Sequence, residues 1–256
     1  MRRDGEGPPG LLGTGLLGTG LLGTLRRRLG LRGPDRREPG AFNHVSLGSN
    51  CQMAHALKRL GLRGWSGPFD WVFTLPPMVR DCLADDFRAF TDRAQLETIP
   101  LSEREGPDIT RGRHRLYRER YGLDCIFNHH DPAADDADFA FLQAGVRRLR
   151  AARALAGGRN RYWLMSHLHV APAEAAALCD ALAGDAARSH LTVIQLLPGT
   201  ATVRVAGRAE PRPDLLHITL ETPSAPVGLR LADPADDARL LDLIRAEAAC
   251  NPAHLD

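Results

Sequence analysis

An α/β fold is predicted for this 256-residue chain by three observations: short apolar runs rich in branched residues, amphipathic stretches at helical spacing between them, and capping or turn residues at the joins. Strands alternating with helices of this length predict a three-layer domain over residues 41–256, a mainly parallel sheet with helices on both faces. With 43% apolar residues, a chain of this size buries one substantial core.

Asn43 to Leu47 reads as the first strand, Gly48-Ser49-Asn50 as a tight turn, and Cys51 to Leu60 as a helix with Met53, Ala54, Leu57 and Leu60 at helical spacing. Pro76-Pro77 opens a helix carrying Val79, Leu83 and Phe87 or Phe90. Residues 91–120 are charged and irregular, a surface excursion with one helical turn. Leu123 to Phe127 is expected to be a strand, and Asp136 to cap a long helix through Phe139, Leu142, Val146 and Leu149. Arg161 to His167 follows as a strand, and Pro172 opens a helix that Gly184 ends. Leu191 to Leu197 is the most apolar strand and Leu215 to Leu220 another; Asp233-Pro234 starts a terminal helix along Leu240, Leu241 and Ile244.

Residues 1–40 differ in kind. The L-L-G-T-G repeat between positions 11 and 25 is broken by glycine and too short for a bilayer, so it is expected to be a disordered low-complexity leader. Asp4 and Glu6, with an arginine cluster where a small-residue cleavage site belongs, argue against a secretory signal. A net charge of +2 gives no reason to expect nucleic acid, and no other segment has the apolar length of a membrane span. Lys58 is the only lysine, so the basic set is almost wholly arginine, as a GC-rich genome produces. Five cysteines at irregular intervals form neither a disulfide framework nor a C-x-x-C pattern, which fits a reducing cytoplasm.

Cys51 stands out because the turn places its thiol on the first turn of a helix. Unpaired N–H groups and the positive end of the helix dipole favour a thiolate there, so Cys51 is expected to have a lowered pKa and to be the fastest thiol to alkylate. Cys82, Cys125, Cys179 and Cys250 lie in apolar patterns and are expected to be buried. Ser49, Asn50 and Gln52 flank the thiol as candidate oxyanion or substrate contacts, with Ser49 or Asn50 also able to cap the helix. Asp70 in P-F-D-W sits between apolar residues, and Trp65, Phe69 and Trp71 are expected to pack that loop over the core.

These residues carry a resemblance. S-L-G-S-N-C-Q at 46–52, P-F-D-W at 68–71 and Y-G-L-D-C-I-F-N-H-H-D at 121–131 resemble a mainly bacterial family catalogued as putative papain-like cysteine peptidases, over roughly Phe42 to Arg150. The resemblance implies Cys51 as nucleophile, His130 as its base and Asp131 or Asp70 as the group orienting the imidazole; it also raises a papain-like α+β fold as the alternative architecture. The chain departs from papain itself in lacking the C-G-S-C-W context and an upstream glutamine.

Two functions follow as expectations. The first is a cysteine-dependent hydrolase or acyltransferase acting on a peptide, acyl or other small polar substrate without a cofactor. The second is a non-catalytic α/β module that binds a sugar or nucleotide in the crevice beyond the strand ends. His167-x-His169 has the spacing to share a metal with His130 or Asp131, but ordinary rim histidines explain the pattern better, and no metal is expected.

Overall fold

Strands and helices alternate as the apolar periodicity predicts, and the computed structural model describes them over residues 42–183, 186–199 and 202–250. The expected leader over residues 1–40 and the helix stop at Gly184 lie outside the described residues. Strand β1 (Asn43–Ser46) leads into helix α1 (Cys51–Arg59), and α2 (Pro76–Ala84) follows. A short antiparallel pair, β2 (Leu96–Thr98) and β3 (Gly112–His114), precedes α3 (Arg115–Tyr121) and the long α4 (Asp136–Ala154). Then come β4 (Arg159–Ser166), α5 (Pro172–Leu182), β5 (Arg188–Pro198), β6 (Arg204–Arg212), β7 (Leu215–Thr222) and α6 (Pro234–Ala249).

The chain is an α/β fold around a mixed five-stranded sheet in the order β1-β4-β5-β7-β6. β1 pairs parallel with β4, β4 with β5 and β5 with β7, while β6 runs antiparallel to β7. Parallel neighbours need a crossover, which α5 supplies between β4 and β5. β6 instead carries the chain back along the edge, so that β7 runs with β5.

Alternate residues of the central strands divide between two buried clusters. Tyr162, Leu164, Leu191 and Val193 join Val45, Leu47 and residues of α2, α4 and α5. Trp163, Met165, Ile194 and Leu196 join Met53 and Leu57 of α1 and Leu240 and Ile244 of α6. Successive side chains of a strand point to opposite faces, so one strand feeds both clusters.

Several expectations need correction. Leu123 to Phe127 is no strand: Phe127 makes isolated bridges to Val72 and Gly112, and Phe73 N–H donates to Ile126 O, so the segment ties loops together outside the main sheet. Residues 91–120 hold β2, β3 and α3 rather than one helical turn. The cap of α4 is Asp135, whose carboxylate accepts from Ala137 N and Asp138 N, not Asp136. β6 escapes sequence reasoning because it is an exposed edge with arginines in place of apolar alternation; Val205, at 48% exposure, shows how little of it is buried. Cys82 and Cys179 are buried as expected, but Cys125 is only partly so and Cys250 is exposed at the end of α6.

Candidate active site

The turn after β1 is built on two left-handed residues, Gly48 (φ +83°) and Ser49 (φ +76°). A Cβ at position 48 would lie 2.6 Å from Thr74 Oγ1 and 3.1 Å from Phe69 O, so the close approach requires glycine. Thr74 Oγ1 accepts from Ser49 N at 2.6 Å and donates to Leu47 O at 2.8 Å, clamping both ends of the turn. Asn50 is the helix cap, its Oδ1 accepting from Gln52 N at 2.9 Å. Cys51 is the first residue of α1, where the sequence places it.

Its environment is the reverse of the expected one. Cys51 is 4% exposed, and burial together with the nearby Asp70 carboxylate pushes the thiol up to about 11. Asp70 is itself buried and ion-paired with Arg63 (Nη1–Oδ2 2.5 Å), and Gly67 N–H donates to it; burial still raises its carboxyl to about 6. Phe69 is fully buried and Trp65 packs against the same core, whereas Trp71 is partly exposed with the Arg63 guanidinium 5.2 Å from its ring centre.

His130 lies in a second environment. Its Nδ1 is 2.6 Å from Asp138 Oδ1, and its ring stacks on Phe141 with centroids 5.0 Å apart. Asp138 Oδ2 accepts from Asp131 N at 2.7 Å, so the carboxylate is fixed on both oxygens. A carboxylate accepts, so Nδ1 carries the hydrogen and Nε2, which makes no hydrogen bond among the described residues, is the ring's open nitrogen. His130 lines a small depression of about 20 Å³, room for about one water molecule, together with Pro68, Trp71, Phe127, Pro132, Phe141 and Leu142. The Asp131 side chain is buried elsewhere, accepting from Thr98 Oγ1 at 3.0 Å. Asp138 is the residue that sequence reasoning missed; its one signal is a place in the first turn of an amphipathic helix, eight positions beyond His130.

Among the described residues no hydrogen bond links the Cys51 thiol to His129 or His130. His129 instead lies 3.1 Å from Asn128 Nδ2 and 3.3 Å from Asp108 O. The P-F-D-W loop touches both centres: Asp70 acts on the thiol, while Gly67, Pro68, Trp71 and Val72 line the depression beside His130.

At the carboxyl ends of β4 and β5 two His–Gln pairs stand side by side. His167 Nε2 meets Gln52 Oε1 at 3.1 Å, and His169 Nδ1 meets Gln195 Nε2 at 3.2 Å. Burial lowers the pKa of His167, keeping the ring neutral near pH 7, and Gln52 Nε2 is buried without a partner among the described residues. His130 and Asp131 are bonded elsewhere, so the four groups do not form one cluster, and no three His, Cys, Asp or Glu side chains among the described residues are grouped to hold a metal ion. No described helix is long and apolar enough to cross a membrane.

Residues 42–150 match the model of a family described as putative papain-like cysteine peptidase, the family that the three motifs resemble. The match spans Cys51, the P-F-D-W loop, His130 and Asp138. No curated protein and no solved structure matches the chain.

Proposed function

From that family match we propose a cysteine-dependent hydrolase or acyltransferase in which Cys51 is the nucleophile and His130 its base, held in a resting arrangement. The architecture proposed to carry it is a three-layer one, with the two buried clusters as the two faces of the sheet. The observation that carries the reading is the His130 ring, fixed by Asp138 at Nδ1 with Nε2 left without a hydrogen bond among the described residues, which is how a general base is presented. In the reaction Sγ gives its proton to Nε2 and bonds to the carbonyl carbon while the π pair moves to oxygen. The intermediate then collapses with the leaving amine, alcohol or thiol taking the proton, and water or an acceptor releases the acyl group. The Gln52 Nε2, without a partner among the described residues, and the Cys51 N–H are the donors proposed for the oxyanion, with Ser49 and Asn50 shaping the turn. The Cys51 thiol is buried and, among the described residues, bonded to neither His129 nor His130, so the two centres must approach each other before the proton can pass.

Acyl-electrophile probes test the proposal. Labelling is expected at Cys51 and is expected to vanish in Cys51→Ala and His130→Ala with the circular dichroism spectrum intact. Asp138→Asn is expected to slow it by about 10- to 100-fold by releasing the ring's tautomer. Labelling that survives His130→Ala undiminished would defeat the pairing.

The burial of Cys51 favours a second reading, a non-catalytic module in which the thiol is an inert turn residue and the crevice binds a small polar ligand such as a sugar or nucleotide. An absence of Cys51 labelling by every probe, with ligand-induced stabilisation against heat, is its expected signature.

A further inference from the structure

Helix α4 grips the chain that leads into P-F-D-W at two points. Gly145 lies so close to Gly67 and Pro68 that a Cβ there would be 3.0 Å from Pro68 N, and one turn further along Arg148 Nε donates to Ser66 O at 2.9 Å. The Arg148 guanidinium is thereby fixed beside Ser66 with its fork unfinished. Its two terminal nitrogens have neither a hydrogen bond nor an ion pair among the described residues and are not sealed from solvent, and Ser66 Oγ has no partner among them either. Arg150 of the same helix shows the ordinary outcome, its Nε closing an ion pair with Asp86 at 2.7 Å.

The charge around Arg148 is unbalanced. Asp70, Arg147 and Arg63 stand within electrostatic reach of it, so three guanidiniums face one carboxylate. That carboxylate is already engaged by Arg63 Nη1 at 2.5 Å and by the Gly67 N–H. Burial lowers the pKa of Arg148, Asp70 opposes the shift, and the like charges of Arg147 and Arg63 add to it. A cation held partly out of water among others of its sign gains more from a negative partner than a fully solvated surface arginine does.

We propose that Arg148 and Ser66 form a binding site for an oxyanion group, a carboxylate or a phosphate monoester carried by a small ligand. The end of the fork offers two parallel N–H donors to two oxygens, a geometry that carboxylate and phosphate share, and the Ser66 hydroxyl adds a further donor. The site needs no chemistry at Cys51 and stands apart from the hydrolase reading.

Titration of the full chain with sodium acetate, methyl phosphate and acetamide, at an ionic strength held constant with sodium chloride and followed in ¹H–¹⁵N spectra, tests the site. Acetate or methyl phosphate is expected to shift the amides of residues 64–67 and the Arg148 Nε–H saturably, while acetamide leaves them in place; the tighter of the two anions names the group that the ligand carries. Arg148→Gln is expected to weaken anion binding about tenfold, and Arg148→Lys, which keeps the charge but loses the fork, about threefold. Ser66→Ala is expected to weaken it several-fold with the melting curve unchanged. Shifts that do not saturate, equal shifts with acetamide, or undiminished binding in Arg148→Gln would overturn the proposal. An equal loss in Arg147→Gln would overturn it too, by showing a general field of positive charge in place of a site. Should Arg148→Gln fail to fold, undiminished binding in both Arg148→Lys and Ser66→Ala is the result that sinks it.

Discussion

At Cys51 two influences oppose each other, and their sizes decide the outcome. A helix N-terminus favours a nearby anion by about 0.3–1 kcal/mol. Burial and Asp70 lift the thiol from 9.0 to about 11, worth roughly 3 kcal/mol in the other direction at 1.36 kcal/mol per unit. Iodoacetamide at pH 8 is accordingly expected to modify the exposed Cys250 well before Cys51, as peptide mapping by mass spectrometry would show. Asp70→Asn removes the repelling carboxylate and is expected to speed Cys51 labelling several-fold; an unchanged rate would mean that access alone governs the thiol. Asp70 also leaves a mark on stability. Its carboxyl titrates at about 6 in the fold against an ordinary 3.8, so between these values the folded chain holds the extra proton. The stabilising contribution of this group is thus complete below about pH 4 and lost as pH rises through 6. Relative to Asp70→Asn, the wild type is expected to lose on the order of 3 kcal/mol between pH 4 and pH 7 in urea unfolding. A pH-independent difference would show that Arg63 compensates the charge fully.

At the scale of elements, the junction of β1 and α1 depends on one hydroxyl. Thr74→Val leaves Ser49 N–H and Leu47 C=O without their partner and is expected to cost about 1–3 kcal/mol. Gly48→Ala, which forces a left-handed Cβ onto Thr74, is expected to cost a similar amount, about 1–3 kcal/mol. Because both act through one contact, the double variant should fall short of the sum, which urea midpoints of the four proteins would reveal. This junction was legible in the sequence: Gly-Ser-Asn before an apolar helical pattern allows few other local structures. β4 and β5 were legible as well, since the core of each is apolar on both faces, and β7 by the alternation of Leu216, Ile218 and Leu220 with His217, Thr219 and Glu221. The segment at 123–127 was not, because Ile126 and Phe127 are apolar for packing between loops, and composition does not distinguish that from pairing in a sheet. β6 was hidden for the opposite reason: an edge strand with solvent on most of its residues needs no apolar pattern at all.

Over the whole molecule, the sequence brought Cys51 and His167 to the carboxyl end of the sheet, as expected of residues that follow parallel strands β1 and β4. It did not place His130, which lies in a loop where a strand end is expected and whose partner, Asp138, belongs to the first turn of α4. Long-range packing, not local pattern, fixes that pairing. If the two centres work in one reaction, Cys51→Ala, His130→Ala and the double variant are expected to lose nearly equal activity in single-turnover acylation; losses that multiply would show that they act independently. Gly145 gives this arrangement its history as well as its shape. A methyl group there would press on Gly67 and Pro68 together, and the loop they begin both lines the depression beside His130 and carries the carboxylate beside the thiol. One mutation in the helix that carries Asp138 would therefore disturb the surroundings of the base and of the thiol in the same generation, and neither is free to drift without the other.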